Sequence, residues 1–309
     1  MLTGVSVSCF LLSYVIALVL EASRFLFKMP GRSFALVAML AVGLFAHSIF
    51  LVNQFFFGTT APLPQLSNWF QWAVLGAWGL SIACLILTFR NPNRSIGLFL
   101  IPIILGLLGV AQLSRDMAPF KPDGLVEFWP IIHGVSLLVA VMFNCLGLAF
   151  GSMYLVQSSR LKKKTVARRQ LRLPALEFLR WMIRLSLYTS TIGLALGLIS
   201  GIVLNLRNDG QAMWFSGGVV FTFALFTISL AGTLAETLPS RRLGGRQSAY
   251  LVIANFLFLV IVLGLVLISS HGQTAVQSDS TGYTDGFRRV ATRLRSAQLD
   301  LLADPSEGV

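Results

Sequence analysis

Acidic residues are scarce in this chain of 309 residues, which has 12 Asp and Glu against 24 Lys and Arg. Only Glu21 and Glu236 come close to one of the long apolar runs, each near the end of a run. Carboxylates inside membrane helices are typical of proton and ion pathways. Their near absence therefore argues against a transporter coupled to protons or cations.

Cysteine and histidine are also rare, with three of each. All three cysteines lie in apolar runs, which argues against a disulfide framework or a CxxC redox pair. The histidines form no HxxxH or HExxH motif, so a zinc site is poorly supported. No phosphate loop or Ser/His/Asp spacing indicates a kinase or hydrolase, and we do not expect a self-contained enzyme.

Apolar residues dominate what is present: 55% of the chain is hydrophobic, 12% is charged, and the mean hydropathy is +0.77. A soluble protein could not bury so much apolar surface, so the composition predicts an all-α polytopic protein of the lipid bilayer. The net charge of +12 is explained by positive loops on the cytoplasmic side of a membrane, so no nucleic-acid partner is expected.

One stretch, Trp129–Arg172, sets the sidedness of the chain. His133 is followed by about 23 residues without a formal charge, enough to cross a hydrocarbon core of roughly 30 Å. A dense basic run, Arg160–Arg172, comes next. Positive residues beside short membrane loops stay cytoplasmic. The basic run is therefore predicted inside, and His133 at the outer surface.

Apolar runs predict about eight membrane-spanning helices. The first run has neither a basic residue before it nor a small-x-small cleavage site after it, so we expect a span there rather than a signal peptide. The predicted spans are Gly4–Ala22, Ser33–Val52, Trp69–Phe89, Ile96–Leu113, His133–Val156, Ile183–Leu204, Trp214–Ala235 and Ala249–Ser270.

The distribution of Lys and Arg supports this number of spans. With both termini outside, 17 of the 24 basic residues fall on the inner side and 7 on the outer side. Removing one helix would place strongly basic loops on opposite sides of the membrane. An even number of helices with both termini extracytoplasmic is therefore predicted.

Small residues recur at intervals of four in two of these spans. Gly147 and Gly151 form such a pair in the fifth span, and Gly193, Gly197 and Gly201 form a row in the sixth. Because small residues let membrane helices approach closely, we expect these positions at helix contacts.

The helical region is predicted to form one bundle over residues 1–272, followed by a polar tail over 273–309. Within the tail, Asp285–Ala303 has apolar residues at helical spacing with four arginines between them. That pattern favours a short basic amphipathic helix on the outer membrane surface or on the protein. A disordered end is the alternative.

All three histidines, His47, His133 and His271, fall in the outer half of this topology. Four of the six tryptophans lie at the outer boundary as well, including Trp214, whereas an interfacial belt usually marks both boundaries. Imidazoles and flat aromatic surfaces at one membrane face suit haem, whose iron takes two imidazole nitrogens.

Five motifs follow one another along the chain, from the fifth predicted span to the end of the eighth. They are WPIIHGVSLLVAVMFNCLGLAFGSMYLVQSSRLKKK, LPALE at Leu173–Glu177, the glycines of the sixth span, RRLGGRQSAYL at Arg241–Leu251, and SSHG at Ser269–Gly272. FAHSIFL contains His47 in an early span. Over about residues 33–272 the chain resembles the cytochrome c assembly family of haem-handling membrane proteins, in its shorter branch with eight spans. The family's tryptophan-rich loop corresponds to a short segment here, Asn205–Gly218.

The resemblance implies a site and a function. His133 and His271 would be axial ligands of haem b at the outer face with Trp214 nearby, and His47 a ligand during transmembrane passage. It implies a haem-binding protein of c-type cytochrome biogenesis in the bacterial inner membrane. Its partners would be a membrane protein of the assembly system and, as a further candidate, apocytochrome c. The alternative is a relative that regulates or stabilises haem-synthesis factors or other membrane proteins without stable haem binding.

Overall fold

The computed structural model describes residues 6–26, 30–56, 68–116, 128–162, 172–209, 217–237 and 243–268. Those residues form eight α-helices and a short 3-10 turn at Ser23–Phe25. The helices are α1 (Val7–Ala22), α2 (Arg32–Phe56), α3 (Trp69–Arg90), α4 (Gly97–Leu113), α5 (Phe128–Lys162), α6 (Leu176–Asp209), α7 (Gly217–Thr237) and α8 (Gly245–Ile268).

Seven of these helices are long and apolar enough to cross a membrane, and the remaining one, α4, is apolar with 17 residues. That length lies at the lower limit for a spanning helix. The predicted fold class is confirmed: the protein is an all-α, multi-pass membrane protein.

The helices pack as two four-membered rings. In the first ring, α1 contacts α2 and α4, and α3 contacts α2 and α4. In the second, α5 packs on α6 and α6 on α7, while side chains of α8 contact both α7 and α5. The rings join where α3 and α4 contact α5. Hence α5 is the central helix of the bundle.

Glycines lie where the helices approach most closely, as predicted. Ideal Cβ atoms built at Gly193 and Gly197 of α6 would lie 2.9 Å from the Ser136 carbonyl oxygen and 2.6 Å from Leu137 Cδ2, both on α5. A Cβ at Gly151 would lie 2.7 Å from Val252 Cγ2 on α8. At Gly193 the nearest atom is backbone, so the observed spacing of α5 and α6 requires glycine there, whereas side chains would have to shift at Gly197 and Gly151.

Backbone carbonyls and arginine side chains tie together the loops at one end of the bundle, which we call the basic end. It contains the α1–α2, α3–α4, α5–α6 and α7–α8 connections. The hydrogen bonds run from Arg24 to the Pro92 carbonyl at 3.3 Å, from Arg94 to the Leu173 carbonyl at 2.5 Å, and from Arg180 to the Leu243 carbonyl at 2.8 Å. Charge thus accumulates on one side of the described bundle, as the positive-inside pattern requires.

Both membrane acids lie at the basic end and are buried. Glu21 accepts a hydrogen bond from Arg24 Nε at 2.9 Å. Glu236 of α7 pairs with Arg184 Nε of α6 at 3.3 Å and accepts a hydrogen bond from Ser248 of α8. Each carboxylate is compensated, and Glu236 connects three helices.

Helix ends extend beyond several predicted spans. The fifth span was predicted to begin at His133 and the sixth at Ile183, whereas α5 begins at Phe128 and α6 at Leu176. With 35 residues, α5 is about 52 Å long, well beyond a hydrocarbon core of roughly 30 Å. At the start of α6, Glu177 and Arg180 interrupt the apolar run without ending the helix, whereas the residues added at the start of α5 are the apolar FWPII.

The chain divides into two compact units, Met1–Leu265 and Val266–Val309. Of the second unit, only the last residues of α8 are described. His271, Trp214 and the predicted amphipathic helix at Asp285–Ala303 lie outside the described residues.

Candidate functional site

His133 lies five residues inside α5, on the side that faces α6. Its Nδ1 is 2.8 Å from the carbonyl oxygen of Gly197. A carbonyl oxygen can only accept, so Nδ1 carries the proton and donates it. In the neutral imidazole this leaves Nε2 as a bare lone pair.

Ser200 supports the same assignment of the proton. Its hydroxyl donates to the carbonyl oxygen of Leu196 at 2.7 Å, one turn earlier in α6. The hydroxyl is also 3.0 Å from the Gly197 carbonyl oxygen. With its proton directed at either carbonyl, Ser200 Oγ offers a lone pair to His133 Nδ1, which is 3.4 Å away. Both oxygen atoms beside Nδ1 are thus acceptors.

Gly201 provides the space in which the imidazole sits. A Cβ at this position would lie 3.0 Å from His133 Cε1 and 3.2 Å from its Nδ1. The ring therefore packs directly against the α6 backbone.

Trp72 of α3 packs on the other side of this part of α5. Its indole contacts the backbone at Gly134, where any Cβ would collide with the ring. The residue next to His133 is thereby fixed against α3, and an aromatic surface lies within one residue of the imidazole along α5. The described part of the site draws on three helices: α3, α5 and α6.

His47 has a different environment, in the first ring of helices. Its side chain is buried, and its imidazole stacks on Phe10 with ring centroids 4.2 Å apart and planes 3° apart. Tyr14 Oη lies 3.3 Å from His47 Nδ1. Because α2 continues to Phe56, His47 lies nine residues before the end of its helix, further inside than the predicted end at Val52 implied.

The stacked ring of Phe10 closes one face of His47, and Tyr14 meets it at 61° with ring centroids 6.2 Å apart. The remaining nitrogen, Nε2, is buried near the backbone of Val74 but makes no hydrogen bond of normal geometry. Phe10 thus covers a face of the imidazole rather than the Nε2 edge at which a haem iron would bind. The role of His47 as a haem ligand stays a prediction.

The structure does not test the predicted pairing of His133 with His271, or the position of Trp214, because His271 and Trp214 lie outside the described residues. Among the described side chains, no group of three or more His, Cys, Asp or Glu is placed to hold a metal ion. Haem iron is held by one or two axial side chains rather than by such a cluster, so this absence does not bear on haem. The role of His133 as an axial ligand stays a prediction.

Two buried asparagines form a polar contact that the sequence analysis did not identify. Asn255 Nδ2 of α8 donates to Asn144 Oδ1 of α5 at 2.7 Å, and Asn144 Nδ2 donates to the Ala140 carbonyl oxygen at 3.0 Å. Both side chains are at most 3% exposed. The sequence did carry a signal for this contact, namely an amide side chain within an apolar run. Polar groups inside a membrane bundle are usually paired across helices.

No protein-family model matches the chain, and no curated protein or solved structure shows detectable similarity to it. The fold and the candidate site therefore depend on the sequence and on the geometry of the described residues.

Proposed function

We propose that this protein binds haem b at the end of the bundle opposite the basic end and handles it in c-type cytochrome biogenesis. The observation that carries the proposal is the hydrogen bond from His133 Nδ1 to the Gly197 carbonyl oxygen. It leaves Nε2 of the imidazole free to coordinate iron. The protein would act as an assembly component rather than as a self-contained enzyme.

The contacts of His133 match what a ligating histidine requires. Such a histidine usually donates its other ring N–H to a carbonyl or carboxylate, which fixes the tautomer and raises the basicity of the ligating nitrogen. Gly197 and Ser200 serve this purpose for His133. Bound haem would supply an iron centre that takes imidazole nitrogens as axial ligands. On this proposal His271 is the second ligand.

The charge distribution supports the orientation of the site. Arginine and lysine accumulate at the basic end, which the positive-inside rule places in the cytoplasm. His133 lies near the opposite end, so we place its site at the outer face of a bacterial inner membrane. That face is where a membrane partner of the assembly system or apocytochrome c would accept haem.

A second function is favoured by the closed environment of His47 and by the structural use of His133. The bond from His133 to Gly197 also fastens α5 to α6 without any ligand. A protein that only regulates or stabilises haem-synthesis factors or other membrane proteins would need these histidines for packing alone.

Absorption spectroscopy separates the two functions. The wild-type protein, expressed with ample haem and purified in detergent, should show a bis-histidine Soret band and sharp bands on reduction. His133→Ala should abolish or shift these bands because an axial nitrogen is lost. His47→Phe is the matched control: it keeps an aromatic ring against Phe10 and should change haem loading much less.

A folded wild-type protein that binds no haem under these conditions would refute the haem proposal and favour the regulatory function. Equal spectra of wild type and His133→Ala would show that haem binds elsewhere.

A further inference from the structure

We infer that Gly201 is a positioning residue that holds His133 in the tautomer with Nδ1 protonated and Nε2 bare. The tautomer itself follows from geometry, whereas its importance for haem rests on the proposed function. Gly201 touches no reacting atom. It acts through the imidazole, by allowing the ring to lie against the α6 backbone.

The steric argument begins with the rigidity of the ring. A Cβ at position 201 would lie 3.0 Å from His133 Cε1 and 3.2 Å from Nδ1, closer than the 3.4 Å at which ordinary contacts of a Cβ begin. An imidazole is planar, and two side-chain torsions place it. A methyl group at position 201 therefore displaces the whole ring, including Nδ1.

A shift of the ring by a few tenths of an ångström would lengthen and weaken the hydrogen bond that selects the tautomer. The Nδ1 to Gly197 oxygen distance is 2.8 Å, and hydrogen bonds weaken steeply with poor distance or angle. Ser200 Oγ, at 3.4 Å from Nδ1, is a longer and weaker acceptor than this carbonyl. Without the carbonyl, only that long contact, among the described neighbours of Nδ1, favours a proton there.

Gly201 differs from the other two glycines of its row in α6, because it contacts the imidazole rather than the rest of α5. Gly193 and Gly197 face Ser136, Leu137 and Ala140 of α5, so they set the distance between the helices. Among the described residues, Gly201 faces only the imidazole within 4 Å. Its substitution should therefore disturb His133 before it disturbs the bundle.

Nitrogen NMR of protein labelled with ¹⁵N-histidine and purified without haem tests the inference, because protonated and bare imidazole nitrogens resonate far apart. The His133 signals are assigned by their loss in His133→Gln. Wild type should show a protonated Nδ1 and a bare Nε2. Gly201→Ala should show exchange between the tautomers, or the opposite one. Gly109→Ala, whose Cβ would have nothing within 4 Å, should match wild type.

A His133 that carries its proton on Nε2 in wild type would overturn the inference, even if Gly201→Ala does not fold. Unchanged His133 signals in a folded Gly201→Ala would also overturn it. A haem titration of the same proteins forms a separate arm, in which Gly201→Ala should lose about 10- to 100-fold in affinity, the range for residues that orient a metal ligand. If wild type binds no haem but shows the tautomer, the proposed function fails and the positioning role remains.

Discussion

Gly193→Ala tests the close packing of α5 and α6, the most extensive contact between helices in the bundle. The added Cβ would lie 2.9 Å from the carbonyl oxygen of Ser136 and 3.1 Å from both the nitrogen and the Cβ of Ala140. Two of these three atoms belong to the backbone of α5, which cannot rotate away. The helices must therefore separate locally by about 0.5 Å to reach the 3.4 Å at which ordinary contacts begin.

The expected magnitude follows from two opposing effects. Forcing an extra methyl group into a packed interior costs about 1–3 kcal/mol. Replacing glycine by alanine inside a helix contributes roughly 0.5–1 kcal/mol in the other direction. We expect Gly193→Ala to lower the free energy of unfolding by about 1–2 kcal/mol. Gly109→Ala on α4, where the Cβ meets nothing within 4 Å, should be neutral or slightly stabilising.

Reversible unfolding by sodium dodecyl sulfate in mixed micelles, followed by circular dichroism, measures both free energies on one scale. Equal stabilities of Gly193→Ala and Gly109→Ala would refute the close approach of α5 and α6, because only one of the two glycines faces another helix.

Three further predictions concern the membrane, the core and the basic end. In a background without the native cysteines, an impermeant thiol reagent outside the cell should label a cysteine at Ser278 and not one at Ser159; the reverse result would invert the topology. A double-mutant cycle on Asn144→Ala and Asn255→Ala should give a coupling of about 0.6–1.7 kcal/mol in unfolding free energy, and zero coupling would contradict the amide bond. Glu236→Leu should lower the free energy of unfolding by about 1–2 kcal/mol, because Ser248 and the partly exposed Arg184 lose their shared acceptor, and an unchanged stability would contradict these contacts.

Composition and hydropathy were sufficient to predict the helices, because a membrane helix must be apolar and about 20 residues long. The glycine row at Gly193, Gly197 and Gly201 also identified a contact face, since four-residue spacing places side chains on one side of a helix. The first turns of α6, from Leu176, were missed. Glu177 and Arg180 are good helix formers but carry charge, so they end an apolar run without ending a helix.

The site was harder to predict than the fold. His133 stood out as an isolated imidazole, but its partner is a backbone carbonyl 64 residues further along the chain. A backbone carbonyl has no signature in a sequence. For His47, the resemblance implied a ligand of haem in transit, and the structure packs its imidazole against Phe10. Only the fold shows which atoms surround each imidazole.

The closure of α1–α4 into a ring of its own has a consequence for biosynthesis. Proteins are made from the N-terminus, and early segments can assemble before later ones exist. All contacts within the first ring involve residues up to Leu113, so this half can complete its packing while α5 is still being inserted. The first four helices would thus be packed together before α5 makes its contacts with α3 and α4. Separate translation of residues 1–116 and 117–309 in one cell should still yield the assembled protein.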